Sequence, residues 1–228
     1  MPAGSSLPVW KEKHIVGGYR ENALCPYCHS VERERMIYMY LADETDIFTN
    51  SKKIRLLHIA PENNLSVALR NAPGIDYLSG DISLDRVTAM EKIDITDIRY
   101  PDNSFDVIIC SHVLEHVLED KKAMREFYRV LKPGGWAILQ VPVSLSLEKT
   151  FEDSAIVSPE ERERVFGQFD HVRIYAKDDY KNRLECAGFA VRVYTPEKEK
   201  GRKYATRYAF QKNEDIYLCT KPLLSAPR

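Results

Sequence analysis

The sequence predicts an α/β domain built on a mostly parallel sheet, and three observations carry that prediction. From Ile54 onward, short apolar runs alternate with segments of helical spacing, the order that lays strands side by side in parallel. The run SFDVIICS, residues 104–111, is apolar almost without interruption, as a strand covered on both faces requires. Two further apolar runs near the end of the chain, FAVRVY and DIYLCT, supply strands that can close the sheet.

Each element follows in order. Residues 32–41 read as a helix with Met36, Ile37, Tyr40 and Leu41 on one face, preceded by a loop holding Cys25 and Cys28. Residues 1–45 therefore read as an N-terminal loop and helix appendage, and 46–228 as the main domain. IRLLHIA is the first strand, NLSVALR the first helix of the alternation, and DYLSGDI a second strand that brings Asp81 to its end. A third short strand lies at 90–95, and residues 104–111 form the fourth. Asp120 can cap a helix whose apolar positions Met124, Phe127, Tyr128 and Leu131 keep the 3.6-residue period, and Lys132, Pro133, Gly134 and Gly135 stop it. WAILQVP is a fifth strand. A helix from Asp179, with Tyr180, Leu184 and Ala187 on one face and Gly188 past its end, leads into the last two strands. Between those strands, residues 195–214 are too polar for core and too aromatic for a plain linker, an insertion read as a lid or an interface.

A chain of 228 residues is long enough for one substantial core. With 44% hydrophobic and 29% charged residues the composition is that of an ordinary globular domain, which sets aside fibrous or extensively disordered architectures. Lys plus Arg number 33 against 34 Asp plus Glu, so no global attraction to phosphate backbones exists, which argues against nucleic acid as a partner. The five cysteines are odd in number, and Cys110, Cys186 and Cys219 sit in apolar or helical stretches, which argues against a disulfide framework. No apolar run reaches the roughly 18–20 residues needed to cross a bilayer. The first ten residues have neither the basic nor the apolar region of a leader, so a cytoplasmic protein is expected.

In an open parallel sheet ligands bind beyond the carboxyl ends of the strands, where the strand order reverses. That rule selects residues 58–64, Asp81, Asp94 and residues 111–116. Asp81 lies about 20 residues beyond the first strand, the spacing at which a carboxylate takes hydrogen bonds from a nucleotide ribose; a helix cap or turn is the alternative. Asp94 and the backbone of Ile95 can meet an adenine ring, or Asp94 can close a plain Asx turn. Residues 59–65 contain no glycine, which excludes the GxGxxG turn of a nicotinamide dehydrogenase.

The segment DITDIRYPDNSFDVIICSHVLEHVLED, followed by FYRVLKPGGWAILQVP, resembles the central part of class I S-adenosylmethionine-dependent methyltransferases. The resemblance spans residues 54–220 and is densest over 94–142. It implies a Rossmann-like three-layer sandwich, a mostly parallel seven-stranded sheet with its last strand antiparallel, and S-adenosylmethionine as cofactor. By position it implies that Asp81 and Ile82 meet the ribose, Asp94 and Ile95 the adenine, and that Ser111, His112 and Leu114 run beneath the cofactor. One departure is plain: the family's first loop carries an acid and three alternating glycines, where this chain has His58, Ala60, Glu62 and Asn64. Those glycines let backbone approach the methionine end of the cofactor. Here His58, Ala60, Pro61, Glu62 and Asn64 are the expected cofactor contacts instead, with Glu62 set to pair with the ammonium group. A subgroup in which CPxC and ERxR segments precede an LHxAPE loop is similar to this arrangement, through Cys25 to Cys28 and Glu32 to Arg35. In it Arg33 or Arg35 reaches the cofactor carboxylate or an anionic substrate, unless both merely pair on the helix surface.

Cys25 and Cys28 have the spacing of half a zinc site, but four ligands are needed and no second CxxC exists. His14 and His29 are the available complements, yet a reduced turn without metal is expected. Methyl transfer asks the protein to hold donor and acceptor in line and exclude water, and a hydroxyl acceptor also needs a base. His171, in FGQFDHVR, is the first candidate for base or substrate contact, with Gln168, Asp170 and Arg173 placed to orient it or to bind a polar substrate; the bland reading is a salt-bridged loop. His116 is the second, or else it packs near the cofactor. Tyr204, with Arg202, Lys203, Arg207 and Tyr208, belongs to a substrate lid, a homodimer contact or a solvated charged stretch. The expected function is methylation of oxygen or nitrogen on a polar small molecule such as a sugar or other metabolite. The alternatives are a non-catalytic S-adenosylmethionine-binding or interaction protein and an RNA or protein methyltransferase.

Overall fold

A computed structural model of the chain describes residues 1–50, 52–85 and 89–223. In chain order the helices are α1 (Pro8–Glu12), α2 (Glu32–Glu44), α3 (Asn63–Arg70), α4 (Asp120–Val130), α5 (Pro159–Phe166), α6 (Lys177–Cys186), α7 (Pro196–Lys200) and α8 (Arg202–Arg207). The strands are β1 (Ile54–Ile59), β2 (Ile75–Asp81), β3 (Glu91–Lys92), β4 (Phe105–Ser111), β5 (Leu131–Gln140), β6 (Val143–Ser144), β7 (Phe151–Glu152), β8 (Arg173–Ala176), β9 (Ala190–Tyr194) and β10 (Ile216–Thr220).

Seven strands form one sheet in the order β3-β2-β1-β4-β5-β10-β9. β1 pairs in parallel with β2 and β4, β4 with β5, and β2 with β3. β10 runs antiparallel to both β5 and β9, so the reversed strand lies one position in from the edge. The expected mostly parallel seven-stranded, Rossmann-like sheet with its last strand antiparallel is thus the observed fold.

Alternation along the strands builds the layers, because successive side chains point to opposite faces. Leu57, Ile59, Ile108 and Cys110 share one buried cluster with Met124 and Phe127 of α4 and Tyr180 and Leu184 of α6. Leu56, Val107, Ile109 and Ile138 share the other with Leu65 and Leu69 of α3 and with Met36, Ile37 and Leu41 of α2. Helix α2 therefore packs on the sheet itself.

A third cluster joins Val9 and Trp10 of α1 to Phe166 of α5 and Ile174 of β8, and the Trp10 indole donates to the Gly167 carbonyl at 3.0 Å. Beside it, β6, β8 and β7 form a small second sheet. The insertion at 195–214 folds into α7 and α8 and lies against the end of α2. There Tyr204 donates to Asp43, Lys200 pairs with Glu44, and Phe210 packs against the α2 cluster.

Candidate active site

The strand order reverses between β1 and β4, and the chain leaves both strands through a strained residue. Ala60, just past β1, has φ of +47°, and His112, just past β4, has φ of +55°. A side chain in this left-handed region costs roughly 1–2 kcal/mol. Both residues still extend the sheet: Ala60 donates its N–H to the Gly80 carbonyl and His112 to that of Gln140, each at 2.8 Å. The loops then turn apart and open a cleft of about 690 Å³ at the carboxyl end of the sheet.

Ala60, Pro61, Glu62, Asp81, Ile82, Asp94, Ile95, Ser111 and His112 of the expected cofactor set all line this cleft. Asp81 is buried at the end of β2 and accepts the Ser83 N–H at 3.0 Å. Asp94 accepts both the N–H and the hydroxyl of Thr96 at 2.8 Å, so the Asx-type turn forms, and those bonds hold its carboxyl below the usual range. Three members of the set lie outside the lining. His58 is fully buried and braces Glu62, its Nε2 2.9 Å from the carboxylate and its Nδ1 3.1 Å from the Tyr77 hydroxyl. Asn64 donates to the Cys28 carbonyl at 3.1 Å, tying the CPYC loop to α3. Leu114 is core, and its carbonyl accepts from Arg173.

Of the expected acceptor groups, Arg33, His116 and Gln168 reach the cleft, whereas four others are placed elsewhere for clear reasons. The Arg35 guanidinium is taken up by backbone carbonyls, among them Ala23, Tyr208 and Ala209. Arg173 is 4% exposed and donates to Glu152 and to the carbonyls of Leu114, Val117 and Leu118, bracing the cleft wall from behind. Tyr204 is held by Asp43 in the last turn of α2, outside the cleft lining. His171 is buried behind His116, the two rings edge to face with centroids 4.7 Å apart. Burial, and then the neighbouring His116, depress its pKa to about 3, so it is a neutral imidazole.

Two acidic groups here had no role assigned from the sequence. Glu115 faces inward from a single 3-10 turn, Leu114–His116, and is 1% exposed. Neither of its carboxylate oxygens has a hydrogen-bond partner, and burial pushes its pKa up to about 8. Glu214, outside the lining but 3.8 Å from His112 Nε2, accepts from the Gln140 amide at 3.0 Å, and burial raises it to about 7. Burial also holds His112 well below the ordinary histidine range. At Glu62 burial acts upward, but the His58 hydrogen bond and charge, then Arg33, outweigh it and keep the carboxylate ionised. Among the described residues, Arg33 Nε, Glu62 Oε1 and Ser111 Oγ are likewise buried without a hydrogen-bond partner.

Residues 61–139 match the family model described as a methyltransferase domain. A demethylmenaquinone methyltransferase of Paenarthrobacter aurescens is 36% identical over 75 residues, 33% of this chain and 24% of the relative. The ubiquinone/menaquinone biosynthesis C-methyltransferase UbiE of Escherichia fergusonii is 34% identical over 102 residues, 40% of this chain and 41% of the relative. The chain thus spans less than half the length of these curated relatives. Among solved structures, a methyltransferase-class protein from Bacillus halodurans superposes with a TM-score of 0.51 at 19% identity, over 81% of this chain and 99% of the other. Phosphoethanolamine N-methyltransferase 2 of Haemonchus contortus, in complex with S-adenosylmethionine, gives 0.53 at 16% over 81% and 52%, and the cyclase SpnF gives 0.55 at 17% over 83% and 82%. Residues 61–139 thus carry the match to a methyltransferase domain, and the fold around them is the one that these solved structures share. No helix among the described residues is long and apolar enough to cross a membrane.

Proposed function

We propose that the chain transfers the methyl group of S-adenosylmethionine to an oxygen or nitrogen of a polar small molecule, such as a sugar or other metabolite. The observation that carries this reading is the set of buried polar atoms around the cleft that the protein itself leaves without partners: Arg33 Nε, Glu62 Oε1, Ser111 Oγ and both oxygens of Glu115. Each such group costs about 1–3 kcal/mol while unsatisfied, a cost that a ligand with complementary groups removes. The amino-acid end of the cofactor fits them, its carboxylate toward Arg33 and its ammonium toward the ionised Glu62. Asp81 then holds the ribose, and Asp94 with Ile95 the adenine edge. When bound, the cofactor supplies an electrophilic methyl carried on a sulfonium.

The protein's own work is to align the acceptor and exclude water. The acceptor end has Glu115, His116, Gln168 and Asp170 on its surface, polar groups suited to a polar substrate. His116 makes the direct contact, and His171 supports it from behind. C-methylation, the activity in the UbiE relative's name, is the second reading. It is favoured by Ile82 and Leu118, which are 61% and 69% exposed at the cleft and offer apolar surface to a less polar acceptor.

Calorimetric titration with S-adenosylmethionine and S-adenosylhomocysteine tests the cofactor, and an acceptor screen with methyl-labelled donor separates the two readings by the position of the label. Asp81→Asn removes the charge from two ribose hydrogen bonds, each worth about 1.5–3 kcal/mol, so affinity is expected to fall on the order of a hundredfold or more. Affinity within threefold of the wild type removes the ribose assignment. Binding of neither sulfur ligand would refute the cofactor reading and favour a non-catalytic interaction protein.

A further inference from the structure

We propose that Glu115, His116 and His171 form a binding site for a divalent transition-metal ion at the acceptor end of the cleft. One potential ligand atom from each lies within 4.8 Å of the others. Inward movement of less than about 1 Å apiece brings all three to ion distances of roughly 2.0–2.2 Å. Two imidazoles and one carboxylate suit zinc, cobalt, manganese or iron, and three protein ligands leave coordination positions open.

Further observations point to a ligand at this spot. The Glu115 carboxylate is 1% exposed with both oxygens lacking hydrogen-bond partners; imidazole nitrogens of His112 and His116 stand 3.5 Å and 4.0 Å from one of its oxygens. The His116 ring is also set for coordination. Its Nδ1 lies 3.2 Å from an Asp170 carboxylate oxygen while its Nε2 faces Glu115. With the proton on Nδ1, the Nε2 lone pair points at the proposed ion, the carboxylate–histidine–metal arrangement that orients ligating imidazoles.

The scaffold is fixed in advance. The Val172 N–H donates to the Glu115 carbonyl at 2.9 Å, locking the His171 loop to the turn that carries the other two ligands. The next residue, Arg173, binds three carbonyls of the same wall. The CPYC loop does not compete on geometry. Among the described residues, the Glu115, His116 and His171 group is the only such cluster of three or more His, Cys, Asp or Glu ligands, and it contains neither Cys25 nor Cys28.

The inference deepens the proposed function of the same cleft, since an ion there selects acceptors that present an oxygen to it, with His116 and His171 acting as ligands. Its test needs no turnover. The chelator-stripped chain is titrated with Co²⁺ and Zn²⁺ by calorimetry and by Co²⁺ absorption. The expected result is one ion per chain, a ligand-field band without thiolate charge transfer, and loss of at least about tenfold in affinity in Glu115→Gln and in His171→Gln, with Asp170→Asn weakened also. Cys28→Ser binds as the wild type does. Circular dichroism melts and S-adenosylhomocysteine titration of the same variants report folding and the cofactor site independently, so a failed cofactor titration leaves the metal result standing. Absence of Co²⁺ and Zn²⁺ binding, ion affinity unchanged in folded Glu115→Gln and His171→Gln, or a thiolate charge-transfer band that disappears in Cys28→Ser each overturns the proposal.

Discussion

Replacing Arg173 by Met tests how the cleft wall is held. In the folded chain the guanidinium, 4% exposed, donates to Glu152 at 2.8 Å, to the Leu114 carbonyl at 3.0 Å, to the Val117 carbonyl, and to the Leu118 carbonyl at 2.9 Å. Met fills most of the volume but supplies no donor. The acids are not stranded, because Arg183 still reaches Asp120 at 2.9 Å and Glu152 at 2.8 Å. Leu114 keeps the Tyr175 hydroxyl at 3.3 Å, and the exposed Leu118 can turn to water. The loss therefore falls mainly on Val117, a half-buried acceptor costing at most about 1–3 kcal/mol when orphaned, with a further part from the Asp120 carboxylate, which loses Arg173 at 3.8 Å. A total of about 2–3 kcal/mol follows, below the 3–5 kcal/mol typical when a buried ion pair loses its only partner. In a chain of this size each kcal/mol shifts the midpoint by about 2–4 °C, so Tm should fall by roughly 5–10 °C in a circular dichroism melt, with a matching shift in urea. A loss under about 1 kcal/mol refutes the bracing role. Arg173→Lys, with a point charge in place of the fork, should recover less than half.

Glu214 gives a pH dependence. Its folded pKa of about 7 lies above the ordinary 4.5, so the folded chain keeps a proton that the unfolded chain releases, and stability from this group declines as pH rises between those values. Glu214→Gln should raise Tm above neutrality and leave it unchanged in acid; an equal shift at both ends contradicts the burial assignment. Ala60→Gly should relieve the positive φ, offset by the greater freedom of the unfolded chain, for a net change within about 1 kcal/mol on the stabilising side; destabilisation beyond that refutes the strain. Tyr204→Phe should leave S-adenosylhomocysteine affinity as it is, because the hydroxyl binds Asp43 outside the cleft; a tenfold loss would put it in the site.

The central sheet was legible because its strands carry their own pattern. Leu56 and Leu57, or Ile108 and Ile109, must face opposite ways, and both faces are apolar. The small sheet was not, since strands such as Phe151–Glu152 and Val143–Ser144 are too short to show a period. Helix α5 had its boundary signals: Ser158 accepts the Glu161 N–H, Pro159 opens the helix, and Gly167 closes it at φ of +90°. Between them only Phe166 is buried, too sparse an apolar face to announce a helix. The positions of strand ends likewise gave Asp81, Asp94, Ser111 and His112 from topology alone. The fate of the arginines could not be read that way. Arg33 and Arg35 are two residues apart on one helix, yet one lines the cleft while the other is spent on carbonyls of residues distant in sequence. Glu115 lay inside the selected segment 111–116 but had no role there, because a carboxylate between Leu114 and His116 reads as surface until the 3-10 turn aims it inward.

The first loop shows how a glycine-free sequence keeps the geometry that glycine usually provides. Glycine serves such a loop by permitting positive φ and close backbone approach. Here Ala60 takes the positive φ directly, held by its hydrogen bond to Gly80, so the chain still leaves β1 at the angle that opens the cleft. What changes is the surface presented: side-chain charge instead of bare backbone. His58 beneath the loop binds Glu62 on one side, and Arg33 acts on it from the other, which keeps that buried carboxylate ionised against the penalty of burial. A fixed anion beside an arginine whose Nε lacks a partner is the electrostatic complement of a zwitterion. Under the proposed function, recognition of the cofactor's amino-acid end thus passes from the amides of a glycine turn to a preorganised pair of opposite charges. The CPYC loop, tied to α3 through Asn64, and the α2 helix that carries Arg33 become structural supports of that pair.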